Sequence, residues 1–119
     1  MSSIIHKKAY QEFLSLLKEF QNQVSTSSKT FSQESWQDLQ QFCQETIFTL
    51  TEDDLAESGV QQWRSLQTEI QREFRLLNTD ILFLEASRKT QTKEVRLQSI
   101  RDRITRLTQF SQMAQKLIT

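Results

Sequence analysis

Tyr10, Phe13, Leu17, Phe20 and Val24 stand three or four residues apart, and Leu97, Ile100, Ile104, Leu107, Ser111 and Ala114 keep the same step near the other end of the chain. An α-helix turns once in about 3.6 residues, so this spacing draws a single stripe down one side of a helix. A strand, which alternates sides at every residue, scatters the same residues over both faces. An apolar stripe is stable only against another apolar surface. Four stretches carry one, which predicts an all-α fold: a small antiparallel helical bundle of four helices, with residues 1–119 as a single domain. Two features agree. The chain has no proline and one glycine, Gly59, so the tight turns of an all-β fold have almost no residues to build them. Eight Phe, two Trp and one Tyr supply core volume without a metal or a disulfide.

The first helix is expected over residues 4–24. Residues 25–30 read STSSKT, short hydroxyl side chains that compete for backbone hydrogen bonds and favour a link. Thr30 with Gln33 has capping-box spacing, and Ser32 with Ser35 offers a second cap. The second helix then buries Trp36, Leu39, Cys43, Ile47 and Leu50, its inner face widened by Phe42 and Phe48. Thr51 with Asp54 repeats the box spacing, with Glu52 and Asp53 where a helix dipole favours acids. Together they predict a short acidic turn over 52–57, and Gly59 is expected to leave it in the left-handed conformation. The third helix should fill 60–87 with the stripe Trp63, Leu66, Ile70, Phe74, Leu77, Ile81 and Leu84. Thr90, Gln91 and Thr92 form a break, with Thr92 as the cap of a last helix over 95–117. Helices of this length span about 30–42 Å, and short links between them favour up-down order. A dimeric, fused or three-long-helix arrangement is the structural alternative.

Charge limits the functions such a bundle can have. Fifteen basic and fifteen acidic residues cancel, but residues 1–59 hold four basic against nine acidic groups, and residues 60–119 eleven against six. Either the acidic front packs on the basic back, or a bipolar surface meets a charged partner. The lone Cys43 cannot form an internal disulfide, which points to a reducing compartment and a cytoplasmic protein. No run approaches the roughly 18 apolar residues of a membrane span, and the N-terminus lacks an apolar signal core. His6 reads as a frayed surface histidine, since one His and one distant Cys make no zinc site. Cys43 lies on an inner stripe and reads as a buried thiol. No pair of Glu-x-x-His units and no glycine-rich phosphate loop is present. The expectation is a protein that is not an enzyme and uses no cofactor or metal.

Residues 72–89, REFRLLNTDILFLEASRK, break the pattern. Apolar groups cover well over half the helix circumference here, so the segment either touches two neighbours or offers a surplus face to another protein. Asp80 sits inside this zone and needs a donor; Arg96, Arg101 and Arg103 of the last helix are the natural partners. A recognition carboxylate is the other reading. Arg88, Lys89, Lys93, Arg96, Arg101, Arg103 and Arg106 form the densest basic stretch, with Arg96 and Arg103 one heptad apart and expected to be largely exposed. A nucleic-acid-binding regulatory module using this last helix is the alternative function, weakened by zero net charge and interspersed Glu85, Glu94 and Asp102.

The run LQTEIQREFRLLNTDILFLEASRKTQTKEVRLQSIRDRITRLTQF, residues 66–110, with RLLNTDILFLEASR at 75–88 as its most distinctive part, resembles the cyanobacterial heterocyst frequency control proteins, the PatD-like family. The resemblance covers about half the chain. It implies a small cytoplasmic, non-enzymatic helical regulator that limits how many cells differentiate through contact with the tubulin-like cell-division protein. The positions it carries over are Arg75, Leu76, Leu77, Asp80, Phe83, Leu84 and Arg88, none with a catalytic role. The expected function is a protein–protein interaction or regulatory adaptor. Its candidate partner-binding residues are Arg75, Asp80, Phe83, Arg88, Arg96 and Arg103, the last two taken from the basic stretch.

Overall fold

The computed structural model describes residues 3–25, 32–53, 55 and 57–118. Four α-helices appear in chain order: α1 (Ser3–Ser25), α2 (Gln33–Phe42), α3 (Val60–Ala86) and α4 (Thr90–Lys116). A π-helical turn (Cys43–Ile47) prolongs α2, and a 3-10 turn (Glu57–Gly59) leads into α3. There is no strand among the described residues, and no helix among them is long and apolar enough to cross a membrane. The molecule is a small helical bundle measuring 50 × 21 × 20 Å.

Each stripe finds its surface. Tyr10, Phe13, Leu17, Phe20 and Val24 of α1 are buried, as are Leu97, Ile100, Ile104, Leu107 and Ala114 of α4, and these two helices pack closely. The α3 stripe is buried at Trp63, Ile70, Phe74, Leu77, Ile81 and Leu84, and α3 lies tight against α4. The contacts give the directions. Phe13 stacks on Phe42 and Phe20 on Trp36, so α1 and α2 run antiparallel. Asp80 meets Arg96 while Glu73 meets Arg106, so α3 and α4 do too. The α2 and α3 backbones stay farther apart. Aromatic rings fill that gap, with Trp36 and Phe74 5.4 Å between centroids and Phe48 edge-on to Phe74 at 5.8 Å.

A buried polar chain fixes the depth at which α1, α2 and α3 meet. Trp63 Nε1 donates to Tyr10 Oη (2.7 Å), Tyr10 Oη to Gln67 Oε1 (2.7 Å), and Gln67 Nε2 to the Ile47 carbonyl (3.0 Å). That carbonyl belongs to the π turn, in which Phe48 N reaches back to Cys43 O at 2.9 Å. Every member is satisfied in series, as buried polar groups must be. Burial pushes the Tyr10 phenol upward against the smaller opposing pull of the Trp63 N–H, and it pushes the Cys43 thiol upward too.

Several expectations need correction. His6 is no frayed surface residue: it is 3% exposed, its Nε2 stands 2.6 Å from the Thr51 carbonyl, and its ring meets Trp63 edge-on. A histidine in the first turn of α1 lies on the same face as Tyr10 and Phe13, which carries it inward. Gly59 enters α3 with φ −104° and ψ −4°, right-handed rather than left-handed. The break between α3 and α4 comes at Ser87–Lys89, not at Thr90–Thr92. Ser87 turns extended while its hydroxyl bonds the Phe83 carbonyl at 2.6 Å, and α4 starts at Thr90 with no side-chain cap from Thr92. The Ser32 cap is present, Ser35 N donating to Ser32 Oγ at 3.3 Å. Gln23 of α1 braces it from both sides, accepting from Ser32 N and donating to Ser35 Oγ. The Thr30 and Asp54 members of the two capping boxes lie outside the described residues.

Candidate functional site

Glu73 and Asp80 are seven residues apart on α3 and therefore share a face. Arg96, Ser99, Arg103 and Arg106 step by three, four and three along α4 and make the facing stripe. The antiparallel packing brings the two together on the outer seam of the α3–α4 hairpin. Asp80 accepts from Ser99 Oγ (2.7 Å), Arg96 Nη1 (3.3 Å) and Arg103 Nε (3.4 Å). Glu73 accepts from Arg103 Nη1 (3.0 Å) and Arg106 Nη1 (3.2 Å). Both carboxylates are buried, and Arg103 bridges them. A charge held away from water in this way needs every one of these donors.

The network corrects one expectation. Arg96 and Arg103 are not free surface cations: both are partly buried and ion-paired. The network pairs lie within residues 60–119, and Glu52 with Arg64 joins the acidic front half to the basic back half at an exposed edge. Arg64's hydrogen bond holds the Glu52 carboxyl below its ordinary range. Asp80 is paired, with Arg96 and Arg103 as two of the three arginines suggested by sequence. Arg101 turns the other way and donates to the Val24 carbonyl of α1 at 2.9 Å.

At the end of this seam the surface changes character. The Arg96 guanidinium carbon lies 4.5 Å from the centre of the Phe83 ring, a cation–π arrangement. Leu82 (58% exposed), Phe83 (49%) and Val95 (64%) are large apolar groups left open to water near the α3–α4 connection. Arg88, Lys89 and Lys93 surround that connection and are exposed, with Glu85 and Glu94 as the acidic groups nearby in sequence. The structure thus joins Asp80, Phe83, Arg96 and Arg103 in one seam and puts Arg88 at its tip. Arg75 is not part of it. It is exposed on another face of α3, beside Gln40, Gln44, Phe48, Gln71, Phe74 and Asn78.

Sequence reasoning missed Glu73 and Ser99, and it placed Arg106 in the basic stretch without its partner Glu73. The available signal was the seven-residue step from Glu73 to Asp80, matched by that from Arg96 to Arg103 and from Ser99 to Arg106. Among the described residues no group of three His, Cys, Asp or Glu is placed to hold a metal ion. Comparison with family models, with curated proteins and with solved structures finds no match to this chain.

Proposed function

We propose that this chain is a non-enzymatic interaction adaptor that docks on an acidic protein surface through the tip of its α3–α4 hairpin. The observation that carries this reading is the exposure of three large apolar side chains, Leu82, Phe83 and Val95, near the connection that carries the exposed Arg88, Lys89 and Lys93. Open apolar side chains give a partner area to bury, and the cations around them favour partners of opposite charge. The geometry supports a protein partner better than nucleic acid. Arg96, Arg103 and Arg106, which would form a phosphate-binding ridge, spend their charge on Glu73 and Asp80. The resemblance of residues 66–110 to the heterocyst frequency control proteins supports the same reading. It makes a cytoplasmic regulator of cyanobacterial differentiation, acting on the tubulin-like cell-division protein, the first version to test.

The test is a titration against that cell-division protein and against duplex DNA at two salt concentrations. Arg88→Glu, Lys93→Glu and Phe83→Ala suit it better than Arg96→Glu, which also breaks the Asp80 pair. Each is expected to weaken protein binding about tenfold or more, roughly 1.4 kcal/mol, while leaving the helical spectrum unchanged. Tight DNA binding that falls steeply with salt, without protein association, would instead support the nucleic-acid reading.

A further inference from the structure

A second face of the molecule, remote from the hairpin tip in the sequence of α3, is built like a binding groove. Because α2 and α3 keep their backbones apart, a cleft of about 440 Å³ opens between them, lined by Gln40, Gln44, Phe48, Gln71, Phe74, Arg75 and Asn78. Its composition is selective. The half-buried Phe48 ring is the open part of an aromatic floor, backed edge-to-face at 5.8 Å by the buried ring of Phe74. Four side-chain amides, each offering a donor and an acceptor, stand around it. Gln40 Nε2 donates to Asn78 Oδ1 at 3.1 Å and ties the two walls together. Arg75 is the lone charge in the lining, which contains no carboxylate.

The π turn shapes one wall. Cys43–Ile47 departs from the α-helical path, Gln44 lies within it, and Phe48 follows directly, its N–H closing the wide turn on Cys43 O. Such turns interrupt regular helices and recur at functional sites. Here the turn lies where the helix leaves the regular path of α2, and the polar chain through Gln67 holds its last carbonyl in place. The result is a fixed wall rather than a frayed end.

We propose that this α2–α3 groove binds a short extended peptide in which an acidic side chain stands next to an apolar one. The amides match the alternating N–H and C=O groups of an extended backbone, the aromatic floor takes the apolar side chain, and Arg75 takes the carboxylate. The lining spans eight residue steps on α2 and its π turn and seven on α3, about 11–12 Å at helical rise, which seats three to four residues of extended chain. This site is independent of the hairpin tip.

The experiment is a selection from a random library of linear 12-residue peptides displayed on phage, with the full chain as bait. Enriched peptides are then synthesised with a fluorescent label and titrated by polarisation. The expected consensus pairs a carboxylate with a neighbouring apolar residue. Arg75→Glu should weaken these peptides at least about tenfold, and Gln71→Trp, which fills the cleft from an exposed position, should abolish binding. Phe83→Ala at the tip should leave it unchanged. Circular dichroism checks that each variant is folded. Lack of enrichment over bait-free selection overturns the proposal, as does a consensus without a carboxylate. Peptides that lose affinity with Phe83→Ala but keep it with Gln71→Trp overturn it too, while supporting the tip as the docking face.

Discussion

Arg103 lies 23% exposed between two buried carboxylates, so its guanidinium balances charge that water reaches poorly. Replacing it by Ala leaves Asp80 with Arg96 and Ser99, and leaves Glu73 with Arg106. The expected loss is roughly 1–3 kcal/mol, the scale of a broken charged hydrogen bond with a buried partner left behind. Arg88→Ala, at an exposed position, should stay within about 0.5 kcal/mol. Leu77→Ala, in the fully buried stripe, should cost about 2–5 kcal/mol. Urea melts test the order, and an Arg103 variant as stable as the Arg88 variant would contradict the network. Sequence placed Leu77 correctly because burial follows from a stripe on one helix. It mistook Arg103 because a partner on a neighbouring helix depends on packing register, which a single helix's pattern does not contain. His6 is a different miss: its step of four to Tyr10 and seven to Phe13 already placed it on the α1 stripe, and only its partners, Thr51 and Trp63, come from other parts of the chain. Cys43 yields a pH prediction. Its folded pKa is raised by burial, so its contribution to stability is complete below the unfolded thiol value of about 8.5 and declines as pH rises above it. Tyr10 adds the same sign from about pH 10. Stability measured by urea melts should fall through the alkaline range, and Cys43→Ala should flatten the fall between about pH 8.5 and 10.

Elements were legible where periodicity was long. α1 and α3 begin and end within a residue of the positions expected from their stripes. The ends of the other elements were less so. Thr90, Gln91 and Thr92 look like a break by side-chain type, yet the break lies at Ser87–Lys89 and the three residues form the first turn of α4. The Ser87 hydroxyl bonds the Phe83 carbonyl, whereas the start of α4 has no side-chain cap, and the extended turn at Ser87 folds α4 back along α3. The π turn left no sequence signature, because its stripe residues Cys43 and Ile47 also fit an uninterrupted α-helix. Its support comes from α3: Gln67 spans the core between Tyr10 and the Ile47 carbonyl. Gln67→Leu should leave the Tyr10 hydroxyl without its acceptor and free the π turn, at a cost of roughly 1–3 kcal/mol. Hydrogen exchange should then quicken at the amides of Phe48 and Leu50, which bond back to Cys43 and Ile47. Exposed Gln71→Leu serves as the control and should stay within about 0.5 kcal/mol. Equal protection of Phe48 in both variants would show that Gln67 does not hold the turn.

At the scale of the whole molecule, one continuous core links regions that the candidate sites keep separate. Trp36 lies between Phe20 of α1 and Phe74 of α3, in the part of the core that faces the α2–α3 groove. Trp63 lies farther toward the start of α3, against His6 and Tyr10. The buried cluster runs unbroken from one tryptophan to the other and includes residues of all four helices. A chain of this size with a single core is expected to unfold in one cooperative step. The two tryptophans make the expectation measurable: Trp36→Phe and Trp63→Phe each leave one indole to report its own region. In each variant, the fluorescence transition in urea should share its midpoint and slope with the loss of far-UV helical signal. Both variants lose core volume, so comparison is made between the two probes within each protein. If the Trp63 region changes first while helicity persists, the α1–α3 contact around Tyr10 and Gln67 opens as a separate unit. The bundle would then be two cooperative parts joined by α3 and α4. Coincident transitions would mean that the polar chain through Gln67, the aromatic gap filling between α2 and α3, and the arginine seam stabilise one and the same unfolding step. A substitution at the hairpin tip that leaves that step unchanged can then be read as a change in binding alone.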